Sequence, residues 1–97
     1  MKKAYLLVFS ETLGTREEVK NCVDSIPQII DWRSDLPQAI YLISEESAAT
    51  LSGLITEKIG KHGRFILQEF TDNSAGWLPK KTWYLLQNKS RMPKGEG

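Results

Sequence analysis

The apolar pattern of the first 27 residues predicts a strand followed by a helix. Residues 4–9 are apolar without alternation, which is typical of a central strand with neighbours on both edges. Gly14 and Thr15 then turn the chain, and Thr15 with Glu18 has the spacing of a capping box at the start of a helix. Pro27 marks the end of this helix. Between Thr15 and Pro27 the apolar residues recur at helical spacing and form one face that we expect to be buried: Val19, Cys22, Val23 and Ile26.

Two further strands are predicted between residues 29 and 43. Residues 29–33 have mixed polarity, with Ile30 and Trp32 on one face and Asp31 and Arg33 on the other, which favours an edge strand. The residues "SDLPQ" (34–38) are typical of a turn. The next strand, 39–43, is apolar enough to be central.

A second helix and a fourth strand follow. Ser47 is placed to cap the helix, and Gly60 and Gly63 are placed to end it. Residues 64–70 have the partial alternation of a strand. The helix has one buried stripe: Leu51, Leu54, Ile55 and Ile59.

The order of elements is therefore β-α-β-β-α-β, which predicts an α+β, ferredoxin-like sandwich: a four-stranded antiparallel sheet with two helices on one face. We expect residues 1–88 to form a single domain that includes a C-terminal segment, 75–88. Pro79 suits the first turn of a helix there. Leu78, Trp83 and Leu86 are expected to dock this segment on the domain body, and residues 89–97 are predicted to be a disordered tail.

Composition excludes several classes of protein. The chain has 97 residues, of which 26% are charged and 40% hydrophobic, so it suits one globular domain. The longest apolar run, 4–9, is far shorter than the roughly 20 residues that span a bilayer. The single cysteine, Cys22, cannot form an intrachain disulfide. These features predict a cytoplasmic protein that does not interact with a membrane.

Charge is distributed unevenly, and this points to a candidate binding segment. Residues 1–57 carry 5 basic and 9 acidic side chains, whereas residues 58–97 carry 8 basic and 3 acidic ones. Basic residues interleaved with aromatic ones are typical of surfaces that hold a nucleic-acid backbone and stack on bases. The alternatives are a protein-binding surface or an ordinary solvated one. The candidate residues for nucleic-acid or partner binding are Lys58, Lys61, Arg64, Trp77, Lys80 and Lys81.

The candidates for catalysis are few. A nuclease using Mg²⁺ or Mn²⁺ needs converging carboxylates, and Glu11 at the end of the first strand with Asp31 on the hairpin is the pair to consider. The alternative is that these are solvated loop acids. Ser10 has no base near it in sequence, and Cys22 lies in a predicted core stripe. His62 suits the free carbonyl groups after the second helix better than general-base chemistry.

Several stretches resemble a known family. The opening "AYLLVFSE", the capped helix, the tryptophan-containing hairpin and the closing "FILQEFTDNSAGWLPKKTWYLL" resemble the small ferredoxin-like proteins called SinR-family. These in turn are similar to the small dimeric CRISPR-associated endonucleases and to VapD-type toxins. The resemblance spans about residues 3–88, and its most specific part is 75–86.

The resemblance implies a homodimer, in which edge strands of the C-terminal parts pair. The nucleases of this group carry a metal-binding aspartate at the end of the first strand, where this chain has Ser10, so metal binding would require Glu11 to take that role. We therefore expect a small non-catalytic homodimeric module without a cofactor, which binds a protein or nucleic acid through its basic-aromatic segment. The alternative is a metal-dependent endonuclease that uses Glu11.

Overall fold

The fold is one four-stranded antiparallel sheet with helices on both faces, and the computed structural model describes residues 1–60 and 63–91. The strands have the order β2-β3-β1-β4, so β1 and β3 are central and the two β-α-β units interlock. The predicted ferredoxin-like α+β fold is confirmed. Its elements are β1 (Lys3–Phe9), α1 (Arg16–Asp24), β2 (Ile29–Leu36), β3 (Ala39–Ser44), α2 (Ala48–Ile59), β4 (Phe65–Glu69) and α3 (Lys80–Asn88).

The predicted capping box begins α1. Thr15 Oγ1 accepts a hydrogen bond from the Glu18 N–H at 3.2 Å, and Glu18 Oε1 accepts one from the Thr15 N–H at 2.8 Å. Both hydrogen bonds lower the pKa of Glu18, and the bond from the Thr15 backbone has the larger effect. The helix ends at Asp24, ahead of Pro27. The predicted buried face of the first helix is confirmed, because all four of its residues are buried: Val19, Cys22, Val23 and Ile26.

Helix α2 also begins and ends as expected, although one glycine has a different role. Ser47 caps the helix by accepting from the Thr50 N–H at 3.1 Å, and Gly60, at φ +123°, ends it. Gly63 lies beyond the helix against the backbone of Leu13, where an added Cβ would stand 2.3 Å from the Leu13 Cα. Gly63 is therefore required for close packing rather than for helix termination.

The two faces of the sheet carry separate cores. On the first face, α1 and α2 cover the odd-numbered residues of β1, among them Tyr5, Leu7 and Phe9. On the second face, α3 packs Leu85 and Leu86 against the sheet. These two sides of the sheet are called the first face and the second face. The second core consists of Ala4, Tyr41, Ile43, Leu85 and Leu86, with Leu6, Phe70, Leu78 and Trp83 partly buried around it.

Two sequence-based boundaries were wrong. The turn predicted for 34–38 is shorter, because β2 continues to Leu36 and only Pro37 and Gln38 form the turn. Ser34 Oγ lies 3.0 Å from the Ala39 carbonyl oxygen, to which it donates, so this turn-forming residue is held within the hairpin instead. Helix α3 begins at Lys80, and Pro79 is the residue before its first turn rather than part of it.

Some predictions fall partly on residues beyond the described ones. Lys61, His62 and residues 92–97 lie outside the described residues. Within the predicted tail, Arg91 is described, and its guanidinium group contacts the Asp31 carboxylate. None of the helices in residues 1–60 and 63–91 has the length and apolarity that a bilayer crossing requires.

Candidate binding surface

Helix α3 is held on the second face by apolar packing. Thr82, Leu85 and Leu86 are buried beneath the helix. Trp83 is partly buried against Phe70, which follows β4, with ring centroids 6.2 Å apart and planes inclined by 56°. Such tilted aromatic pairs add modestly to the free energy gained from burial alone. The predicted docking of Leu78, Trp83 and Leu86 on the domain body agrees with these contacts.

Polar contacts fix both ends of α3 to strand β2. Near its first turn, Arg33 Nε donates to Thr82 Oγ1 at 2.5 Å, and the Thr82 hydroxyl donates to the Asp35 carboxylate. Beyond its last turn, Arg91 Nε and Nη2 donate to the two oxygens of Asp31 at 2.7 and 2.8 Å. This bidentate geometry is the strongest form of an arginine–carboxylate contact. The orientation of α3 on the sheet is thus set by β2.

The Asp31–Arg91 pair should make stability depend on pH in the acid range. Burial by itself raises the pKa of Asp31, but hydrogen bonds from Arg91 and from the Trp32 N–H outweigh it and hold the pKa below its ordinary value. A lowered pKa in the folded state stabilises above the unfolded-state pKa of 3.8, and this stabilisation is lost as the pH falls through the folded-state pKa. Because the Arg91 side chain is 77% exposed, we expect Arg91→Gln to cost less than about 1 kcal/mol near neutral pH.

Urea unfolding of both proteins across this pH range tests the pair. The difference in unfolding free energy between wild type and Arg91→Gln should vanish once Asp31 is protonated in both states. Lys81→Gln, which removes a charge from the exposed side of the same helix, is the matched control and should show no such pH dependence. A difference that persists in strong acid would contradict this account of Asp31.

An apolar row that crosses the whole sheet lies on the part of the second face that α3 leaves open. The register places Leu36 beside Ala39, Ala39 beside Val8, and Val8 beside Ile66, so one residue comes from each strand. We call these four residues the apolar row. Three of them are large and exposed: Leu36 by 45%, Val8 by 40% and Ile66 by 61%. Contiguous exposed apolar residues of this kind mark interaction surfaces in proteins.

A groove of about 760 Å³ lies between the second face and the segment that leads into α3. Its floor includes Leu6, Val8 and Tyr41 from the central strands, and its wall includes residues 73–78. Trp77 stands at this wall with its side chain fully exposed. Burial, with Asp35 nearby, raises the pKa of Tyr41, so its hydroxyl is neutral at physiological pH. The groove therefore presents an apolar interior with an exposed indole at its edge.

The predicted binding residues divide between the two faces. Lys58 lies at the end of α2 on the first face, and Arg64 lies just before β4. Trp77, Lys80 and Lys81 lie on the second face, in the segment that leads into α3 and in its first turn. All five are exposed, and Lys61 is outside the described residues. Trp77 thus lines the groove, Lys80 and Lys81 follow it at the start of α3, and Lys58 belongs to the opposite layer.

The two carboxylates considered for metal binding are not brought together. Glu11 follows the end of β1, whereas Asp31 pairs with Ile43, which pairs with Ala4 at the start of β1. The register thus separates them by about 20 Å along the strands. Asp31 is already engaged by Arg91. Among residues 1–60 and 63–91, no three His, Cys, Asp or Glu side chains converge as they do around a metal ion.

Ser10 and Cys22 have contacts that serve the fold. Ser10 Oγ accepts from the Thr12 N–H at 3.1 Å, and Thr12 Oγ1 accepts from the Arg64 N–H at 3.1 Å, which links the end of β1 to the start of β4. Cys22 is buried in the first core, and burial raises the pKa of its thiol despite the opposing effect of Lys58. Both residues thus have roles that packing and strand termination explain.

Comparisons with protein-family models, with curated proteins and with solved structures find no match to this chain. The resemblance to the SinR-family proteins therefore stays a prediction.

The apolar row was missed when the sequence was interpreted, although its signal is present. In residues 4–9 both the odd and the even positions are apolar, so both faces of β1 need cover. Two helices on one face leave the even positions to the C-terminal segment or to a partner. Helix α3 covers Ala4 and contacts Leu6, but it leaves Val8 exposed.

Proposed function

We propose that this protein is a small non-catalytic homodimeric binding module, which contacts a partner protein through the second face of its sheet. The observation that carries this proposal is the apolar row. One end of the row, formed by Leu36, Ala39 and Val8, lines the groove, and the other end, Ile66, reaches the outer edge of β4. A dimer contact at one end and a partner contact at the other would cover the exposed residues.

The edge of β4 has free backbone groups for strand addition. Ser10 N–H donates to the Arg64 carbonyl at 2.9 Å, and Phe70 N–H donates to the Ala4 carbonyl at 2.8 Å, so the even residues of this segment point toward β1. The N–H and C=O groups of Phe65, Leu67 and Glu69 consequently point outward. No other strand lies beside them in the part of the chain that the structure describes. Such an edge binds another strand readily.

Side chains favour one antiparallel register between two copies. If Ile66 lies opposite Ile66 of the second copy, then Phe65 lies opposite Leu67, and the outward backbone groups of these two residues bond to each other. Both contacts are apolar, and Ile66 loses its exposure. The register shifted by two residues would instead place Ile66 opposite Gln68.

Charge and edge protection also support β4 as the pairing strand. Arg64 precedes the strand and Glu69 ends it, so antiparallel pairing brings the basic end of one copy toward the acidic end of the other. The opposite edge, β2, is protected, because its register with β3 is interrupted between Ile29 and Asp31 and again between Arg33 and Leu36. Bulges of this kind hinder strand addition.

Replacing Ile66 with lysine should abolish the dimer. We expect Ile66→Lys to raise the dissociation constant of the dimer by about tenfold or more, since two lysines would face each other across the two-fold axis. Sedimentation-equilibrium measurements over a range of protein concentrations give the dissociation constant directly. Ile66 is exposed in the monomer, so the folded state should tolerate the substitution.

Ile30→Lys is the matched control for this experiment. Ile30 is an exposed isoleucine, at 47%, on the protected edge strand β2. It should leave the dissociation constant unchanged. A wild-type protein that stays monomeric at high concentration, or equal effects of the two substitutions, would overturn the β4 dimer.

A protein partner is favoured over a nucleic acid by the chemistry of the second face. Stacking platforms for single strands need flat aromatic rings on a continuous basic surface. Here the open row is aliphatic, and the basic candidates are divided between both faces. The separation of Glu11 from Asp31 supports a non-catalytic role. We also propose that the protein is cytoplasmic, as its single cysteine predicts.

A further inference from the structure

Residues 71–78, which connect β4 to α3, have a backbone that is anchored at its two ends. Before them, the Phe70 N–H donates to the Ala4 carbonyl at 2.8 Å. After them, the Pro79 carbonyl accepts from the Thr82 N–H at 2.9 Å and so belongs to the first turn of α3. Between these two anchors, no backbone group bonds to the backbone of a described residue. We call residues 71–78 the strap.

The side chains of the strap also leave it free to move. The Ser74 hydroxyl donates to the Thr71 carbonyl at 2.6 Å, which is a contact within the strap itself. Residues 71–77 are exposed, and Leu78, next to the second anchor, is partly buried. A Cβ added at Gly76 would meet no atom within 4 Å beyond its chain neighbours. Because glycine adopts a wider range of backbone angles than other residues, Gly76 provides a hinge within the strap.

Trp77 is the large apolar side chain that the strap carries beside the groove. It lines the groove wall and yet is fully exposed. The groove has a volume of about 760 Å³, which is ample for one indole ring, and none of the described residues that line it is charged. Its aromatic rings besides Trp77 are those of Tyr41, Phe70 and Trp83. Burying the Trp77 indole against this lining is favourable, because both surfaces are apolar and both are removed from water.

The strap's own tryptophan has an advantage over every occupant that comes from another molecule. Trp77 lies two residues before Pro79, the second anchor, and it already adjoins the groove. A group on a short flexible linker reaches a neighbouring site at an effective concentration of about a millimolar or more. Since both ends of the strap are fixed in any case, closure orders only the few residues between them. The nearest occupant of the groove is therefore Trp77.

We propose that the strap closes over the groove and inserts the Trp77 indole, so that the free protein occupies its own binding site and a partner must displace this tryptophan. The structure shows the strap in its open arrangement, with the indole outside the groove. This inference rests on the proposed function and adds a regulatory device to the same face. The apparent affinity of the groove for a partner is then its intrinsic affinity multiplied by the fraction of molecules in which the strap is open.

Fluorine NMR of the protein labelled with fluorotryptophan measures the exposure of each indole separately. The chain has three tryptophans, and Trp77→Phe identifies the resonance of Trp77. A soluble gadolinium chelate accelerates the relaxation of fluorine nuclei that are exposed to solvent. In the wild type we expect Trp77 to relax at a rate close to that of the partly buried Trp83 and well below that of free fluorotryptophan.

Leu36→Lys and Ile30→Lys form a matched pair for this measurement. Both residues lie on β2 and have similar exposures, 45% and 47%, but Leu36 lines the groove and Ile30 is not among its lining residues. Leu36→Lys should raise the relaxation rate of Trp77 about twofold or more, because closure would bury the new ammonium group and the open arrangement is therefore favoured. Ile30→Lys should leave this rate unchanged.

Binding of a neutral apolar dye, N-phenylnaphthylamine, tests the competition for the groove. Trp77→Ala should bind the dye about fivefold more tightly than the wild type does, because the groove then has no internal occupant. A tryptophan that served only as the groove wall would have the opposite effect, since its removal would weaken dye binding. Adding Leu36→Lys to Trp77→Ala should abolish the gain, which locates the dye in the groove.

The outcomes separate strap closure from the proposed function. If Trp77 of the wild type relaxed as fast as free fluorotryptophan, or if the two lysine substitutions had equal effects, closure would be overturned and the second face would stay available to a partner. Protection of Trp77 that is lost in Ile66→Lys would assign its cover to a second copy of the chain and overturn closure within one chain. Dye binding by Trp77→Ala that is no tighter than that of the wild type would overturn the competition. The sedimentation experiment on Ile66→Lys tests the dimer independently.

Discussion

Replacing Val23 with aspartate should unfold the protein or leave it barely stable. Val23 is completely buried in the first core, on the face of α1 that packs against α2 and the sheet. A carboxylate there would lose its hydration and gain no partner, which we expect to cost about 4 kcal/mol or more. A domain of this size has a total stability of only about 5–15 kcal/mol. Urea unfolding followed by circular dichroism measures the loss.

Two control variants separate charge from volume and from helix propensity. Val23→Ala removes two methyl groups without adding a charge, and we expect it to cost about 2 kcal/mol. Asn21→Asp adds a negative charge at an exposed position of the same helix and should change the unfolding free energy by no more than about 0.5 kcal/mol. If Val23→Asp were no worse than Asn21→Asp, the buried face of α1 would be wrongly assigned.

The first layer of the fold could be predicted because its signals are local. Thr15 and Glu18 lie three residues apart, and the bonds that they form on folding involve only their own turn. The stripes of α1 and α2 repeat every three or four residues, so the buried face follows from spacing alone. The order of strands and helices then limits the topology to few choices. The observed sheet agrees with the predicted one for these reasons.

The limits of β2 could not be predicted, because its last residues depend on distant partners. Ser34 and Asp35 are typical turn residues, and locally they favour ending the strand at Arg33. In the structure Asp35 receives a hydrogen bond from Thr82, which lies 47 residues away in the sequence. Arg33 bonds to the same hydroxyl. No local pattern reports a contact of this range, so the strand was predicted too short.

The candidate site was predicted in its residue types but not in its arrangement. The alternation of basic and aromatic residues singles out Trp77, Lys80 and Lys81, of which Trp77 lines the groove while the two lysines lie in the first turn of α3. Lys58 was grouped with them on charge alone, yet helix α2 places it in the layer on the other face of the sheet. Which face of the sheet a given lysine lies on depends on packing between distant elements, and charge along the sequence does not report it.

Partial cover of the second face links the stability of α3 to the amount of exposed apolar surface. Helix α3 buries the part of this face that lies over Ala4 and Ile43, and it leaves the apolar row open. Full cover by a longer helix would remove the groove, and no cover would expose an aggregation-prone sheet. The contacts of α3 with β2 therefore influence how much apolar surface of the sheet stays exposed. This dependence makes the docking of α3 the second critical feature of the fold.

Truncating Leu86 should loosen α3 before the rest of the domain unfolds. Leu86 is only 1% exposed and packs in the core with Ala4, Tyr41 and Ile43. We expect Leu86→Ala to lower the unfolding free energy by about 3 kcal/mol. A helix of nine residues is too short to persist alone in water, where about 12–15 residues are marginal. Once undocked, α3 should therefore lose its helical hydrogen bonds. Hydrogen exchange monitored by mass spectrometry should show faster exchange in 80–88 than in β1 and β3.

Gln87→Ala is the matched control, since Gln87 is the exposed neighbour on the same helix and its truncation should leave exchange unchanged. Leu86→Ala should also disturb the groove, because Leu86 and Trp83 both line it and both depend on a docked α3. Uniform acceleration of exchange over the whole sheet would mean that the two cores unfold as one cooperative unit. Unchanged protection of 80–88 would contradict the role of α3 as the cover of the second face, because Leu85 and Leu86 are the leucines that this helix buries against the sheet.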